Sequence, residues 1–282
     1  MPNANGIPTQ DDVKFFKENG YWLSPKIIDD ERLSRLRERM ERVYRNEFET
    51  GTPPEAIWSY EKGHPKTLRK TDMASYADLT IRALAYDPVI GEIAAALTET
   101  DTIRFWADQL LHKPEQSGGH ASSVGWHQDY TYWKCFQNPE TLLTAWVAYD
   151  DVDEENGCMM MVPGSNQWGL LNGSDFYEQN LDNQKNGMNV PEGQVFRTMP
   201  IVMKAGQVSF HHSLTIHGSG PNISDRVRRS SALHLMTGET RFRYDERHQY
   251  LSTKQFIASG GKDGDIVQGD MYPVIYKKGV TA

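Results

Sequence analysis

The chain has 282 residues, is 38% hydrophobic and carries a net charge of −8 at pH 7. The acidic balance argues against a nucleic-acid partner, and no apolar run reaches the roughly 20 residues that a transmembrane helix needs. Two cysteines, Cys135 and Cys158, exclude a disulfide scaffold and a cysteine-based zinc ribbon. The N-terminal segment lacks the basic and apolar regions of a secretory signal. We therefore expect a soluble globular protein of the cytoplasm.

The first third of the chain is predicted to be mostly helical, because its apolar residues recur at steps of three and four. The predicted elements are a helix over Gln10–Asn19, a strand over Tyr21–Leu23, a helix from an N-cap at Asp29 or Asp30 to about Asn46, and a helix over Pro88–Leu97. The basic run Lys66–Lys70 (KTLRK) is expected to be a solvated surface stretch.

From Thr102 onward, short strand-like runs replace the helices. They are Ile103–Leu111, Thr141–Tyr149, Cys158–Val162, Ile201–Val202, Gln207–Phe210 and Ser230–Met236. Asn156-Gly157 predicts a hairpin between two of them. Helices followed by many short strands favour an antiparallel sandwich or barrel flanked by helices. We expect one domain over 1–282, with helical support in 1–100, a β core in 101–240 and a C-terminal extension in 241–282.

Two histidine clusters carry the chemistry. His127 and Asp129 form a His-x-Asp pair, and residues i and i+2 of a strand face the same side. An ordinary surface histidine beside an aspartate is the equally weighted alternative. His217, in the run His211–Asn222, adds a second imidazole before a Gly/Pro turn. Two histidines and one carboxylate on one face of a cation are typical of non-haem Fe(II) oxygenases, while catalytic zinc remains the alternative.

An arginine is a candidate for binding a carboxylate near these histidines. Arg228 lies on the predicted strand after the turn, where an inward guanidinium would bind a carboxylate bidentately. Arg226 has the same strand parity, so the pattern alone leaves the choice open. Either side chain is equally well explained as an ordinary exposed arginine.

Four sequence blocks in order resemble the phytanoyl-CoA dioxygenase (PhyH-like) family of Fe(II)/2-oxoglutarate oxygenases. They are Phe15–Tyr21 (FFKENGY), Trp126–Asp129 (WHQD), the stretch from Thr144-Ala145-Trp146 through Asn156-Gly157-Cys158 to Pro163-Gly164-Ser165, and His217–Asn222 (HGSGPN) with Arg228. The blocks run from about residue 12 to 236 and so cover most of the chain. The resemblance implies a double-stranded β-helix (jelly-roll, cupin-like) core, with Fe(II), 2-oxoglutarate and O2 as cofactors.

The resemblance also implies a role for individual residues. His127, Asp129 and His217 would hold Fe(II), and Arg228 would bind the distal carboxylate of 2-oxoglutarate, which resolves the choice between the arginines. These four form the expected catalytic set. Further contacts to 2-oxoglutarate are expected from Ser219, Trp146 and Gln109. The implied reaction couples oxidative decarboxylation of 2-oxoglutarate, to succinate and CO2, with hydroxylation of a substrate C–H bond.

The substrate is expected to be a free small molecule, bound by side chains around the iron. Candidates are Trp133, Tyr130, Thr131 and His211; Thr131 and Trp133 share strand parity with the ligands. Core packing is an equally weighted explanation for the aromatic residues, and a structural role is the more common one for His211, His212 and His234. Residues Pro114–Val124 are a predicted lid, and Ser165–Gln194 are a long insertion that is either functional or disordered.

Several outcomes stay open after this assignment. The same cofactors also support epimerisation, desaturation or cyclisation, and nothing in the sequence separates these from hydroxylation. Relatives that chlorinate have a small residue in place of the carboxylate, so Asp129 favours hydroxylation. A non-catalytic jelly-roll binding module and a zinc hydrolase are the alternatives from other classes. The oligomeric state is expected to be a monomer or a homodimer.

Overall fold

The computed structural model describes residues 6–245 and 250–280. Its helices are α1 Gln10–Asn19, α2 Asp30–Tyr44, α3 Ala74–Ala77, α4 Leu79–Ala85, α5 Pro88–Thr98, α6 Leu181–Gly187 and α7 Leu251–Ala258. Its strands are β1 Tyr21–Leu23, β2 Ala56–Ile57, β3 Arg69–Asp72, β4 Thr102–Lys113, β5 Val124–His127, β6 Leu142–Ala148, β7 Met160–Met161, β8 Met199–Pro200, β9 Val208–His212, β10 His217–Ser219, β11 Arg228–Thr237 and β12 Val274–Lys277. The helices predicted over 10–19, 30–46 and 88–97 are confirmed to within two residues.

The strands form two antiparallel sheets. The larger has the order β1-β9-β6-β11-β4-β3-β2, with β12 also paired to β4, and the smaller has the order β5-β10-β7-β8. Consecutive strands in the chain often lie in different sheets, as β4 and β5 do, or β6 and β7. This antiparallel arrangement with flanking helices agrees with the predicted mainly-β class.

The two faces of the larger sheet have different neighbours because strand residues alternate. On one face Leu110, Leu143, Phe210 and Leu233 pack against the buried side of α2 and against α4 and α5 in the main hydrophobic core. The other face of the same strands carries both polar side chains and a smaller apolar cluster, and it faces the smaller sheet. The N-terminal helices therefore cover one side of the sheet and leave the other available for a site. None of the helices within 6–245 and 250–280 has the length and apolar character needed to cross a membrane.

Two details of the predicted chain path are wrong. The turn at Asn156-Gly157 is present, but the strands on either side of it, β6 and β7, lie in different sheets and form no hairpin. The run Lys66–Lys70 is not simply a solvated surface. Its last two residues begin β3, which pairs with β4, and Arg69 is only 9% exposed. The N-terminal third thus adds three strands to the larger sheet besides its helices.

Stability at acid pH depends on His112, the penultimate residue of β4. The ring is 3% exposed, and neither nitrogen has a hydrogen-bond partner among the described residues. Burial, reinforced by Arg69, Arg229 and Arg228, lowers the pKa of His112 to about 2. The folded protein therefore keeps the ring neutral, while the unfolded chain takes up a proton below about pH 6.5, so stability falls as the pH drops.

We expect His112→Phe to reduce this loss. Between pH 7 and pH 5 the wild type should lose about 2 kcal/mol more of its free energy of unfolding than the variant does. Urea unfolding of both proteins at the two pH values measures the difference. His120→Phe, which replaces an exposed histidine, is the control and should behave as the wild type does. Equal losses in wild type and His112→Phe would contradict this account.

Candidate active site

Three buried side chains meet where β5 and β10 pair. The register places His127 opposite His217, and Asp129 follows two residues later in a 3-10 turn over Asp129–Thr131. The Asp129 Oδ1 atom lies 3.6 Å from the Nε2 atom of His127 and 3.7 Å from that of His217. One ligand atom from each residue fits within 4.8 Å of the others, and no further cluster of this kind is present in 6–245 and 250–280.

The strand argument for the His-x-Asp pair brings the correct residues together for the wrong reason. His127 is the last residue of β5, and Asp129 already belongs to the 3-10 turn. The carboxylate faces the imidazole because the chain bends, not because the two residues share strand parity. Because of the same bend, strand parity does not predict the side on which the side chains of Thr131 and Trp133 lie.

The two imidazoles are oriented by backbone carbonyls. The Nδ1 atom of His127 lies 2.8 Å from the Gly125 oxygen, and that of His217 lies 2.9 Å from the Thr215 oxygen. A carbonyl only accepts hydrogen bonds, so each Nδ1 carries the hydrogen and each Nε2 keeps a lone pair. Burial lowers the pKa of His217 well below its ordinary value, which keeps that ring neutral. Both Nε2 atoms are thus available as metal ligands.

Contacts to Oδ2, the second carboxylate oxygen of Asp129, fix the orientation of the carboxylate. Oδ2 accepts a hydrogen bond of 2.7 Å from the Thr144 hydroxyl, and the His211 Nε2 atom lies 3.3 Å away. Burial opposes ionisation, whereas the hydrogen bond from the Thr144 hydroxyl favours the carboxylate form. Oδ1 is therefore a charged oxygen directed at the two Nε2 atoms.

This donor set fits a divalent metal ion. Two neutral imidazoles and one carboxylate approach from one side, which leaves coordination positions for other molecules on the opposite side. Fe(II) and Zn(II) both accept such ligands, whereas a structural zinc site would be closed by a fourth protein ligand. The arrangement is that of an open, catalytic metal centre.

A small inner cavity of about 40 Å³ extends from the three residues between the sheets. It is lined by all four residues that were expected to contact 2-oxoglutarate, which are Gln109, Trp146, Ser219 and Arg228. His211 lines the same cavity. Residues 228, 232 and 234 reach it together because alternate residues of β11 share one face.

Arg228 is a buried cation without a carboxylate partner among the described residues. It is 1% exposed, its guanidinium carbon lies 5.1 Å from the Trp146 ring centre, and Nη1 donates a 2.9 Å hydrogen bond to the Gly157 oxygen. Its Nε atom is buried and unpartnered. Burial lowers the pKa of Arg228 to about 10, so the group is charged at neutral pH. An unpaired buried charge is costly, and a bound anion would offset this cost.

The Asn156-Gly157 turn positions a carbonyl that binds Arg228, which the hairpin prediction did not include. Asn156 accepts a hydrogen bond from the Asp153 N–H and donates one to the Asp151 carbonyl, which fixes the turn. Gly157 has a φ of 76°, and a Cβ atom there would lie 2.7 Å from the Gly220 oxygen. Glycine is therefore required, and its carbonyl is directed at Arg228.

The two arginines that parity could not separate lie in different environments. Arg226 is exposed and pairs with Asp153 at 2.6 Å. Only Arg228 of the two lines the inner cavity.

Sequence reasoning missed Lys113, the last residue of β4, which is paired in register with Arg228. It is fully buried, and Nζ donates to the Ser219 hydroxyl at 2.6 Å and to the carbonyls of Ser219 and Gly220. Burial, with Arg228 nearby, lowers its pKa well below the ordinary value. Because Ser219 accepts from Lys113, its own hydroxyl hydrogen is free for a ligand in the inner cavity.

A larger outer cavity of about 330 Å³ lies on the other side of His127 and Asp129. Trp133 lines it, whereas Thr131 and Tyr130 lie outside it. The Tyr130 hydroxyl donates to the Phe136 carbonyl at 2.8 Å, and the ring belongs to a core cluster. These placements follow from the 3-10 turn, which rotates successive side chains away from strand alternation.

The cavity cover differs from the expectation. Of the predicted lid, Pro114–Val124, only Val124 lines a cavity, and it does so as the first residue of β5. Phe176, from the long insertion, lines both cavities and lies 5.2 Å from the His127 ring. The insertion is ordered on β5, where the Gln184 side chain binds both the N–H and the carbonyl of Trp126. The insertion therefore contributes to the walls of both cavities.

Several outer-cavity residues carry no local sequence signal. They come from the N-terminal third and from the C-terminal extension and include Glu55, Lys70, Asp72, Tyr250 and Ser252. Only the fold brings these segments to the cavity. Among these residues, Lys70 belongs to the basic run Lys66–Lys70, which was the one weak indication in the sequence. In the structure Lys70 lines the cavity and binds Asp72.

Known proteins share this sequence pattern. Residues 16–230 match the family model described as phytanoyl-CoA dioxygenase (PhyH). The peroxisomal phytanoyl-CoA dioxygenase of Homo sapiens is 25% identical over 244 residues, which cover 84% of this chain and 71% of that protein. A probable alpha-ketoglutarate-dependent hypophosphite dioxygenase of Stutzerimonas stutzeri is 24% identical over 224 residues, which cover 76% of this chain and 73% of that protein.

Solved structures share the fold. The non-heme alpha ketoglutarate dependent carbocyclase SnoK from nogalamycin biosynthesis has a TM-score of 0.72 at 23% identity, covering 97% of this chain and 99% of that one. EctD from S. alaskensis, solved with 2-oxoglutarate and 5-hydroxyectoine, has a TM-score of 0.64 at 18% identity, covering 86% and 80%. The predicted double-stranded β-helix core is thereby confirmed. The chain belongs to the phytanoyl-CoA dioxygenase (PhyH) family, which confirms the prediction of an oxygenase that uses iron, 2-oxoglutarate and O2.

Proposed function

We propose that this oxygenase hydroxylates an unactivated C–H bond of a free small molecule bound in the outer cavity. His127, Asp129 and His217 hold the Fe(II), and Arg228 with Ser219 binds the distal carboxylate of 2-oxoglutarate in the inner cavity. Bound iron and 2-oxoglutarate supply the oxidising power for C–H cleavage, with succinate and CO2 as the other products.

One observation carries the proposal. Arg228 is charged and buried, has no carboxylate partner within 6–245 and 250–280, and lies at a cavity that also reaches the three candidate metal ligands. A dicarboxylate with one end on the metal and the other on Arg228 would satisfy both groups at once. A zinc hydrolase would require neither this arginine nor the second cavity.

The residues of the chain orient the reactants and exclude water. Thr144 fixes the Asp129 carboxylate through Oδ2, so that Oδ1 stays directed at the two imidazoles. Phe176 lines both cavities and packs against the His127 ring at 5.2 Å, so it shields one side of the candidate metal centre. Water exclusion protects a reactive centre from side reactions.

Anaerobic titration of Fe(II) and 2-oxoglutarate into the metal-free protein tests the cofactor assignment. We expect a weak visible metal-to-ligand charge-transfer band when 2-oxoglutarate chelates the iron through two positions. Stoichiometric zinc binding without any such band would overturn the proposal in favour of a zinc enzyme. Once a substrate is turned over, the product mass tests the reaction type, because hydroxylation adds one oxygen, desaturation or cyclisation removes two hydrogens, and epimerisation leaves the mass unchanged.

Lys113 offers a further test of the inner cavity. We expect Lys113→Met to weaken 2-oxoglutarate binding about tenfold, because the Ser219 hydroxyl loses the donor that fixes it. The dissociation constant from the charge-transfer titration measures this, and thermal unfolding reports any loss of fold. Lys62→Met, which replaces an exposed lysine outside both cavities, is the control. Unchanged 2-oxoglutarate affinity in a folded Lys113→Met protein would contradict the assigned role of Lys113.

A further inference from the structure

His234 links the candidate metal centre to the outer cavity. It lies on the inner face of β11, is 5% exposed, and lines both cavities. Its Nδ1 atom lies 3.1 Å from the Thr144 hydroxyl, which is the same hydroxyl that binds Asp129 Oδ2 at 2.7 Å. The three residues thus form one hydrogen-bonded chain.

The direction of this chain fixes the tautomer of His234. The Thr144 hydroxyl donates its single hydrogen to the Asp129 carboxylate. The contact between Thr144 and Nδ1 must then be a donation from Nδ1–H. Burial lowers the pKa of His234 to about 4, so the ring is neutral and its Nε2 atom carries a lone pair. Nε2 has no hydrogen-bond partner among the described residues. It is also not fully covered by neighbouring atoms, so a ligand can reach it.

Aromatic walls surround this acceptor. The His234 ring centre lies 5.6 Å from that of Trp106 and 4.7 Å from that of Trp133, and all three rings line the outer cavity. Tyr250 from the C-terminal segment and Phe176 from the insertion extend the aromatic lining. A cavity of about 330 Å³ lies at the small end of the range for ligand sites.

We propose that the outer cavity binds a small ring-containing molecule that carries a hydroxyl group, and that this hydroxyl donates a hydrogen bond to Nε2 of His234. That this molecule is the substrate rests on the proposed function. The aromatic walls bind the ring faces, while His234 selects the donor and fixes which edge of the ring faces the metal centre. His234 is thus a specificity-determining residue.

The charges in the cavity favour a neutral donor over an anion. The Nε2 lone pair would repel a carboxylate or phosphate. Lys70 is engaged by both oxygens of Asp72 at 2.5 and 2.6 Å. Lys70 is thereby neutralised, and Glu55 adds a further acidic side chain to the lining. A buried acceptor of this kind discriminates strongly, because a ligand without the donor leaves it unpaired.

Two probes with the same naphthalene ring test this inference, namely 2-naphthol, which has a hydroxyl donor, and 2-methoxynaphthalene, in which a methyl group replaces the donor hydrogen. Their dissociation constants are measured by calorimetry, on the anaerobic Fe(II)–2-oxoglutarate complex and on the metal-free protein. We expect wild type to bind 2-naphthol about tenfold more tightly than 2-methoxynaphthalene, so that the ratio of the two dissociation constants is about ten. His234→Phe keeps a ring between the tryptophans and should reduce the ratio to about one, while His120→Phe should leave it unchanged.

An independent readout protects the test against a misfolded variant. In wild-type protein labelled with ¹⁵N-histidine, the His234 ring should show a protonated Nδ1 and a bare Nε2, and 2-naphthol should shift the Nε2 resonance upfield. A ratio of one in wild type, or a protonated Nε2, would overturn the inference even if the charge-transfer band forms normally. A missing band with a preserved, His234-dependent preference would instead overturn the proposed function alone.

Discussion

Asp129→Ala should abolish succinate formation while the protein stays folded. The carboxylate is the only anionic member of the ligand set, and its Oδ1 atom faces both imidazoles at 3.6 and 3.7 Å. Two neutral imidazoles alone hold Fe(II) weakly and fix no geometry for 2-oxoglutarate. We expect turnover to fall at least about 1,000-fold, which corresponds to roughly 4 kcal/mol of lost transition-state stabilisation. Succinate release measured under saturating Fe(II) and 2-oxoglutarate gives the result.

Asp151→Ala is the matched control for this variant. Asp151 is an exposed carboxylate, paired with Lys204 at the protein surface, and its removal should leave turnover unchanged. Circular dichroism and thermal unfolding should show that both variants keep the fold, because Asp129 makes its contacts within the site. Substantial turnover by Asp129→Ala at high Fe(II) would show that the ligand assignment is wrong.

Local sequence signals were sufficient for the metal centre. His127 and Asp129 are two residues apart, and β5 pairs with β10 in a register that brings His217 opposite His127. A short motif of this kind keeps its side chains together whether the backbone continues as a strand or bends. That is why the three residues lie together as expected, although the 3-10 turn makes the parity argument invalid. Extrapolating the same parity to Thr131 failed, because a bend changes all the later positions.

The outer cavity could not be predicted in the same way. Lys70, Asp72 and Tyr250 come from segments far apart in the chain, and only the packing of β3 on β4 and of α7 on the core brings them to one wall. Such long-range placement leaves no periodicity in the sequence. Lys113 was missed for a related reason, since a lysine at a strand end is usually exposed.

Arg228→Ala should weaken 2-oxoglutarate binding by at least about a hundredfold, which corresponds to roughly 3 kcal/mol. The guanidinium is buried and held by Trp146 and the Gly157 carbonyl, so it requires little reordering when a carboxylate binds. The anaerobic charge-transfer titration measures the dissociation constant directly, and metal binding without 2-oxoglutarate should stay as in wild type because Arg228 contacts none of the three ligands.

Arg226→Ala is the control that the sequence itself provides, because the two arginines have the same strand parity. Arg226 is exposed and forms a surface ion pair with Asp153, and such pairs contribute little. Its removal should change 2-oxoglutarate affinity less than about twofold. The contrast between the variants separates a specific carboxylate site from a general loss of positive charge, since each variant removes one charge. Equal weakening in both would mean that the positive field of this strand end binds the anion, and that the inner cavity has no specific site at Arg228.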